Sequence, residues 1–343
     1  MKKKLKIAVF MGGRTPERDV SLVTGKQVVT HLDKSKYKVI PVVISSDGTS
    51  WEIKSLSWVE RFFPQIKSQS PKLDFSPPKK VSLGAFFNLK PLPDVIFIAI
   101  HGPFGEDGTI QGMFEFLGIS YTGSGVLASA LGMNKIAFHR IMENVGIQTP
   151  QWLVADREFF LGNQQLSIPG PPWVVKPANQ GSSVGVSLVK NKKNLCLATE
   201  RALVYSPEII VEEYLTGTEI ACGVLGNREP KALPVIEICP KNEFFDYEAK
   251  YTAEKCEEIV PARISKKLTK EIQEIAIAVY QTIGCRGFAR VDMIIKRNTP
   301  FVLEINTIPG LTPASLFPKE AAAAGISYPQ LLDLIIDFAL ENR

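Results

Sequence analysis

Four side chains able to do chemistry lie close together near the carboxyl end of the chain: Arg290, Asp292, Glu304 and Asn306. They sit in two apolar-rich runs, GFARVDMII and FVLEIN, on either side of the turn-like KRNTP. This pattern predicts two antiparallel strands joined by a short loop. Side chains two apart on a strand share a face, so Arg290 and Asp292 point one way, as do Glu304 and Asn306, while Val291, Met293, Leu303 and Ile305 point to the other face and can pack. A five-residue loop from Lys296 to Pro300 sets Asp292 across from Glu304 and Arg290 across from Asn306. Opposed carboxylates repel on a bare sheet, which points to a cation between them. Oxygen ligands of this type suit a hard ion, magnesium or manganese, and magnesium held by few protein groups usually carries nucleotide phosphates. A solvated sheet face bearing ordinary charges is the other reading that the hairpin leaves open.

The elements that must position this hairpin belong to an ordinary globular chain. With 343 residues, 45% apolar and 22% charged, there is length for two or three domains and a substantial core. The net charge of +5 is scattered apart from the run Lys2 to Lys4, which gives nucleic-acid binding little support. Five cysteines, with no CxxC pair, argue against a disulfide framework or a zinc site and fit a reducing compartment. The opening MKKKLKIAVFMGG has too short an apolar run for a signal peptide, and no run approaches membrane-spanning length, so a cytoplasmic location without membrane attachment is expected.

Lys6 to Met11 reads as a buried strand that ends in Gly12 and Gly13 and leads into a helix from about Pro16 to His31, with Glu17 in its first turn. The unit lacks GxGxxG. KVIPVVIS is a second strand, and Ser45 to Pro93 reads as a hairpin plus a variable connection. DVIFIAI is another buried strand running into HGPFGEDGTIQG, at the strand end where α/β sheets bind ligands. His101 there suits a substrate role, although a lone histidine is more often structural. GVLASALGMNKIAFHRIMENVGI reads as one helical segment, in which Lys135 has a solvated position as its default role. WVVKPANQGSSVGVSLV is strand, glycine-rich loop, strand. Lys176 interrupts the first of these strands and needs an anionic partner if buried. Gln180 to Gly185 can wrap backbone N–H groups around phosphate or form a plain hairpin turn. A helix from about Lys193 to Tyr205 precedes the strands EIIVEEYL and TGTEIACGVLG. Cys239 to Ala262 shows no regular period and is expected to be a lid or binding loop, and a helix from about Lys267 to Ile283 returns the chain to the hairpin.

Taken in order, HGPFGEDGTIQG, YTGSG, NQGSSVG, DYEAKY, GFARVD and LEINTIPGLTPASLFP closely resemble the D-alanine:D-alanine ligase family of the ATP-grasp superfamily. The resemblance runs along nearly the whole chain, with Ser45 to Pro93 least matched. It implies an α/β protein of three domains: a Rossmann-like unit over 1–122 on the first-substrate side, a central ATP-grasp unit over 123–213, and a catalytic unit over 214–343 with a lid loop over 240–262. ATP, a substrate, would lie between the two antiparallel sheets of the latter two. Carried over by motif position, Lys135 and Lys176 would contact phosphates under a loop closed by Ser182 and Ser183. Glu212 and Leu215 would meet the adenine, Glu219 the ribose, and Lys250 the terminal phosphate. Asp292, Glu304 and Asn306 would hold two magnesium (or manganese) ions.

The chemistry that this resemblance implies is attack of one D-alanine carboxylate on the γ-phosphate. The amine of a second D-alanine then attacks the acyl phosphate, giving D-alanyl-D-alanine for peptidoglycan precursor synthesis. Arg290 and the Gly310 N–H would stabilise the oxyanion. Ser315 and Leu316 would contact the second substrate, Glu17 the first ammonium and His101 the first carboxylate. Glu17, Ser182 and Tyr251 would link into a latch over the site. The resemblance also implies a homodimer. Ala314, Ile308, Leu311 and Glu213 depart from residues common in the family, the first three of them beside the second-substrate site. A D-alanine:D-lactate ligase, another carboxylate–amine ligase and a nucleotide-binding protein without turnover are the competing readings.

Overall fold

The computed structural model describes residues 3–62, 86, 89–156, 159, 167–240 and 256–341. Lys250 and Tyr251, with most of the expected lid, lie outside the described residues, as does most of the connection expected between Ser45 and Pro93.

The first sheet contains β1 (Leu5–Gly12), β2 (Tyr37–Ile44), β3 (Trp51–Ile53), β4 (Val95–Ile98) and β5 (Ser120–Tyr121) in the order β3-β2-β1-β4-β5. All its pairings are parallel except β2 with β3. Helix α1 (Arg18–His31) follows β1, α2 (Leu56–Arg61) follows β3, and α3 (Thr109–Phe116) lies between β4 and β5. The apolar runs of β1 and β4 are fully buried, as expected of parallel strands covered on both faces. The chain leaves β1 toward β2 on one side while β4 lies on the other. The carboxyl ends of β1 and β4 therefore form the switch point at which such sheets bind ligands.

The single helix expected after YTGSG is two, α4 (Val126–Met133) and α5 (Lys135–Asn144). Asn134 breaks the run because its backbone is extended and its side chain accepts from the Ala137 N–H at 2.8 Å, capping the second helix. A four-stranded antiparallel sheet follows, in the order β6-β9-β7-β8, from β6 (Trp152–Ala155), β7 (Trp173–Pro177), β8 (Ser187–Val189) and β9 (Ile209–Glu213), with α6 (Leu195–Leu203) against it.

The third sheet has six strands: β10 (Thr218–Leu225), β11 (Lys231–Ala232), β12 (Ile236–Pro240), β13 (Cys256–Ile259), β14 (Phe288–Lys296) and β15 (Thr299–Asn306). The order is β13-β12-β10-β14-β15, with β11 also on β10. Parts of the expected loop Cys239 to Ala262 are strand: Glu237–Pro240 pairs antiparallel with Cys256–Ile259, so a strand pair flanks the expected lid. Helix α7 (Lys266–Ile283) covers the back of this sheet with Ile272, Ala276, Val279 and Ile283, an i, i+4, i+7, i+11 stripe. Ser265 caps its start and Gly284 its end. Burying each of the isoleucine and valine side chains stabilises by roughly 1.5–3 kcal/mol. The last two helices, α8 (Leu316–Ala323) and α9 (Tyr328–Leu340), have no counterpart in the sequence reading. Leu331, Leu332, Ile335 and Ile336 of α9 join the core of the first sheet. No single helix among the described residues is long and apolar enough to cross a membrane.

Candidate active site

The β14–β15 hairpin has a tighter turn than expected. Lys296 pairs with Thr299, and Arg297 and Asn298 alone make the turn with φ of 52° and 64°, the double left-handed geometry of a two-residue hairpin loop. A bulge between Asp292 and Met293 then shifts the register by one residue. Beyond it Asp292 lies across from Glu304 and Arg290 across from Asn306, as the five-residue loop would also have given. The bulge has one further effect. Val302, not Leu303, enters the core beside Met293 and Ile305, and Leu303 turns to line a cavity.

The four polar residues therefore share the face opposite α7. Arg290 is mostly buried and grips Asp292 in a fork, Nε to Oδ1 at 2.6 Å and Nη2 to Oδ2 at 2.7 Å. Burial opposes the guanidinium charge, but Asp292 outweighs it and Arg290 is held more firmly protonated than usual. Asn306 accepts from the Ile308 N–H at 3.1 Å, which starts the turn toward Gly310 and Ser315. The Ser315 hydroxyl accepts from the Thr312 N–H at 3.1 Å, and Leu316 is buried against Ala221, Ile236 and Ile238.

Two cavities meet on this face. The smaller, of about 100 Å³, is lined by Glu17, His101, Ser182, Arg290, Gly310, Ser315 and Leu316. The larger, of about 440 Å³, lies between the second and third sheets and is lined by Lys176, Ser183, Glu212, Leu215 and Leu303. Lys135, Glu219, Asp292 and Glu304 line both, so the hairpin carboxylates stand where the two spaces join. Lys135 opens α5 and is buried. Its ammonium donates to the Gln180 carbonyl at 2.6 Å and lies 3.2 Å from Glu304 Oε2. It is thus a buried residue of the cavity walls, not a solvated helix lysine.

In the larger cavity Lys176 finds the anion it requires, Glu212 Oε2 at 2.7 Å, while His139 Nε2 is 3.2 Å from Oε1. Burial works against both charges of the pair. Lys176 and His139 nevertheless hold the Glu212 carboxyl down at about 2, and Glu212 keeps Lys176 protonated above its usual range.

At the switch point of the first sheet, Glu17 immediately precedes α1 and makes no cap to it. It accepts instead from the Ser182 hydroxyl of the glycine-rich loop, 165 residues away. Ser182 and Ser183 both have positive φ, 47° and 59°, so the loop is held in an unfavourable backbone conformation. A Cβ on Gly181 would come within 2.7 Å of Glu17 Oε1, which only glycine avoids. The His101 ring is buried. Its Nδ1 faces two acceptors, Glu106 Oε1 at 3.2 Å and the Ile308 carbonyl at 3.1 Å, and so carries the proton. Its Nε2 lies 2.8 Å from Thr24 Oγ1. Burial lowers the affinity of this ring for a second proton, but Glu106, together with Glu17 and the Ile308 carbonyl, offsets it and the pKa is raised.

Glu106, His139 and Glu320 contact His101, Glu212 and Gly223 respectively, without being among the candidates drawn from the motifs. Glu320 occupies the apolar stripe Leu316, Phe317, Glu320, Ala321 of α8, and a carboxylate in such a stripe was the available signal. His139 lies one helical turn beyond Lys135, a spacing with no signal of its own.

A hard cation fits the donor set. Among the described residues, no three His, Cys, Asp or Glu side chains are grouped closely enough to hold a metal alone. Two opposed carboxylates and an amide at the junction of the cavities could supply part of a magnesium shell and leave the rest to phosphate oxygens.

Two antiparallel sheets facing each other across a cavity with buried lysines and a carboxylate pair, joined to a parallel-sheet unit, define an enzyme of the ATP-grasp class. Within that class the chain belongs to the D-alanine–D-alanine ligase family. Residues 6–124 match the family model "D-ala D-ala ligase N-terminus", and residues 141–337 match "D-ala D-ala ligase C-terminus". The chain is 42% identical over 345 residues to a D-alanine–D-alanine ligase of Syntrophobacter fumaroxidans, covering 99% of each. It is 40% identical over 346 residues to that of Pelotomaculum thermopropionicum, covering 98% of each. Among solved structures it superposes on the D-alanine–D-alanine ligase from Coxiella burnetii with a TM-score of 0.81 at 29% identity, over 99% of this chain and 94% of that one. For the Bacillus anthracis enzyme complexed with ATP the TM-score is 0.75 at 34% identity, over 99% and 98%. For the VanG D-Ala:D-Ser ligase from Enterococcus faecalis it is 0.77 at 34%, over 98% and 100%.

Proposed function

We propose that the protein joins two molecules of D-alanine into D-alanyl-D-alanine, with ATP converted to ADP and phosphate, as a step of peptidoglycan precursor synthesis. The observation that carries this reading is the junction of the two cavities at Lys135, Asp292 and Glu304, with Arg290 and Gly310 on the small-substrate side and Lys176 and Glu212 on the other.

In this reading ATP occupies the larger cavity. Glu212 and Leu215 meet the adenine, Glu219 meets the ribose, and Lys135, Lys176, Ser183 and Lys250 meet the phosphates. Asp292, Glu304 and Asn306 would hold magnesium or manganese, which supplies charge neutralisation to the phosphates when bound. The first D-alanine lies with its ammonium toward Glu17 and its carboxylate within reach of His101 and Arg290. A carboxylate oxygen attacks the γ-phosphorus, the bond to the bridging oxygen of ADP breaks, and an acyl phosphate results. The second D-alanine, held by Ser315 and Leu316, attacks the acyl carbon with its neutral amine. Arg290 and the Gly310 N–H take up the oxyanion charge, and inorganic phosphate leaves as the carbonyl reforms, taking up the proton that the amine nitrogen loses. The contact between Ser182 and Glu17 ties the glycine-rich loop across the small cavity, and with Tyr251 it would keep water from the acyl phosphate.

The three sheets suggest three units near 1–122, 123–213 and 214–343, with α9 returning to the first. ATP dependence and a peptidoglycan-precursor product suit the cytoplasm, and we expect a homodimer, to be checked by light scattering. The likeness to a D-Ala:D-Ser ligase keeps a different second substrate as the alternative. Supplying D-alanine alone, with D-serine, or with D-lactate and separating the products distinguishes them. Dipeptide from D-alanine alone supports the reading, and product only with a second compound moves the assignment.

A further inference from the structure

Glu320 is fully buried on α8, one turn from the Ser315 and Leu316 that begin the helix, and the reaction scheme leaves it without a role. We propose that Glu320 is a positioning residue for the second-substrate side of the site: its carboxyl fixes the start of α8 against the strand that faces Arg290. This rests on the ligase reading above.

The third sheet has a gap beside β10. Strand β10 pairs with β12 up to Ala221 and with β11 from Val224, so at Gly223 the ladder on that side is interrupted. The Gly223 carbonyl still accepts from the Leu233 N–H, but its own N–H has no strand partner there. Glu320 Oε1 accepts that N–H at 2.8 Å, across 97 residues of sequence. Gly223 lies directly opposite Arg290 in the register with β14. A Cβ at Gly223 would come within 2.9 Å of the Phe317 ring, so the helix can approach the sheet this closely only over a glycine.

The hydrogen bond therefore ties three things together: the backbone opposite Arg290, the helix that carries Ser315 and Leu316, and a carboxyl within electrostatic reach of the guanidinium. The second oxygen of Glu320 is buried with no hydrogen-bond partner among the described residues, an arrangement that packing alone does not call for. The charged and titratable groups felt around it are Arg290 and Asp292 of β14 and the Cys222 thiol of β10, while its neighbour Lys319 is engaged by Glu258 of β13. Burial raises the Glu320 carboxyl to about 8, Arg290 pulling in the opposite direction, so near neutrality it is chiefly protonated. A neutral amide can then take its place.

The test compares wild type, Glu320→Gln and Glu320→Ala in full steady-state kinetics at pH 7, with separate KM values for ATP and for the first and second D-alanine. Glu320→Ala is expected to raise the KM for the second D-alanine about tenfold while the KM for ATP stays within about twofold. Glu320→Gln, whose amide oxygen can accept the Gly223 N–H, is expected to restore the second KM to within about twofold of wild type. If Glu320→Ala does not fold, Glu320→Leu, which keeps volume without an acceptor, reads the same quantity. An unchanged second KM in the acceptor-less variant, a parallel rise in all three constants, or a glutamine variant as impaired as alanine would overturn the inference. Wild-type protein that makes no dipeptide overturns the functional reading itself, and the inference with it.

Discussion

Replacing Glu212 with glutamine removes the one carboxylate that faces both Lys176 and His139. Glu212 is buried and lies 2.7 Å from the mostly buried Lys176, so its loss leaves the ammonium without its nearest anion in the wall of the larger cavity. The carboxyl is held at about 2 against an ordinary 4.5, which at 1.36 kcal/mol for each pH unit corresponds to about 3 kcal/mol of stability at neutral pH. Because the folded pKa is depressed, this contribution is fully present above pH 4.5 and is lost as pH falls toward 2; at pH 3 the same two values leave about half of it or less. Amide hydrogen exchange in β7 and β9, corrected for intrinsic rates, reads the local opening free energy. Glu212→Gln should lower it by about 3 kcal/mol at pH 7 and by about half that or less at pH 3. The KM for ATP should rise by about tenfold or more, since Lys176 loses its fixed position. An equal difference at both pH values, or none at pH 7, would refute the electrostatic account of this pair.

Three further outcomes are expected. Asp292→Asn should abolish metal-dependent turnover by about a hundredfold or more while circular dichroism shows an intact fold, and full activity would sink the metal assignment. Ser182→Ala breaks the contact with Glu17 and should raise the KM for the first D-alanine more than that for the second; a selective effect on the second site would reverse the assignment of the two ends of the cavity. Glu320 has a folded pKa raised to about 8 from 4.5, so wild type should lose stability as pH rises between those values, by up to a few kcal/mol, whereas Glu320→Gln should not. Thermal midpoints at pH 6 and pH 9 measure the difference, and identical pH slopes in both proteins would count against that burial effect.

The hairpin that holds the site was legible because strand alternation and opposed charges are local signals. Its register was legible through two errors that cancelled. The turn is shorter than the five residues expected, and the bulge after Asp292 restores the offset at Asp292 and Arg290 but sends Leu303 into the cavity and Val302 into the core. A bulge is decided by the fit of neighbouring strands, which periodicity does not carry. Asn134 lies inside a run apolar enough for one helix, and it ends that helix because its side chain caps the next. Lys176 could be read as needing an anion, but which one depends on strands β7 and β9 pairing Val174 with Glu212. The role of Glu320 is not local, because its partner is a backbone N–H opened by a ladder break 97 residues away. Motif order along the chain supplied what these contacts could not, the identity of the substrates.

The measurement that bears most directly on the central claim is phosphate release from ATP and magnesium with D-alanine, L-alanine, or D-alanine plus D-lactate, with chromatographic separation of the products. Release that depends on D-alanine, accompanied by D-alanyl-D-alanine as product, is the predicted result. Folded protein that binds ATP yet releases no phosphate with D-alanine would contradict it.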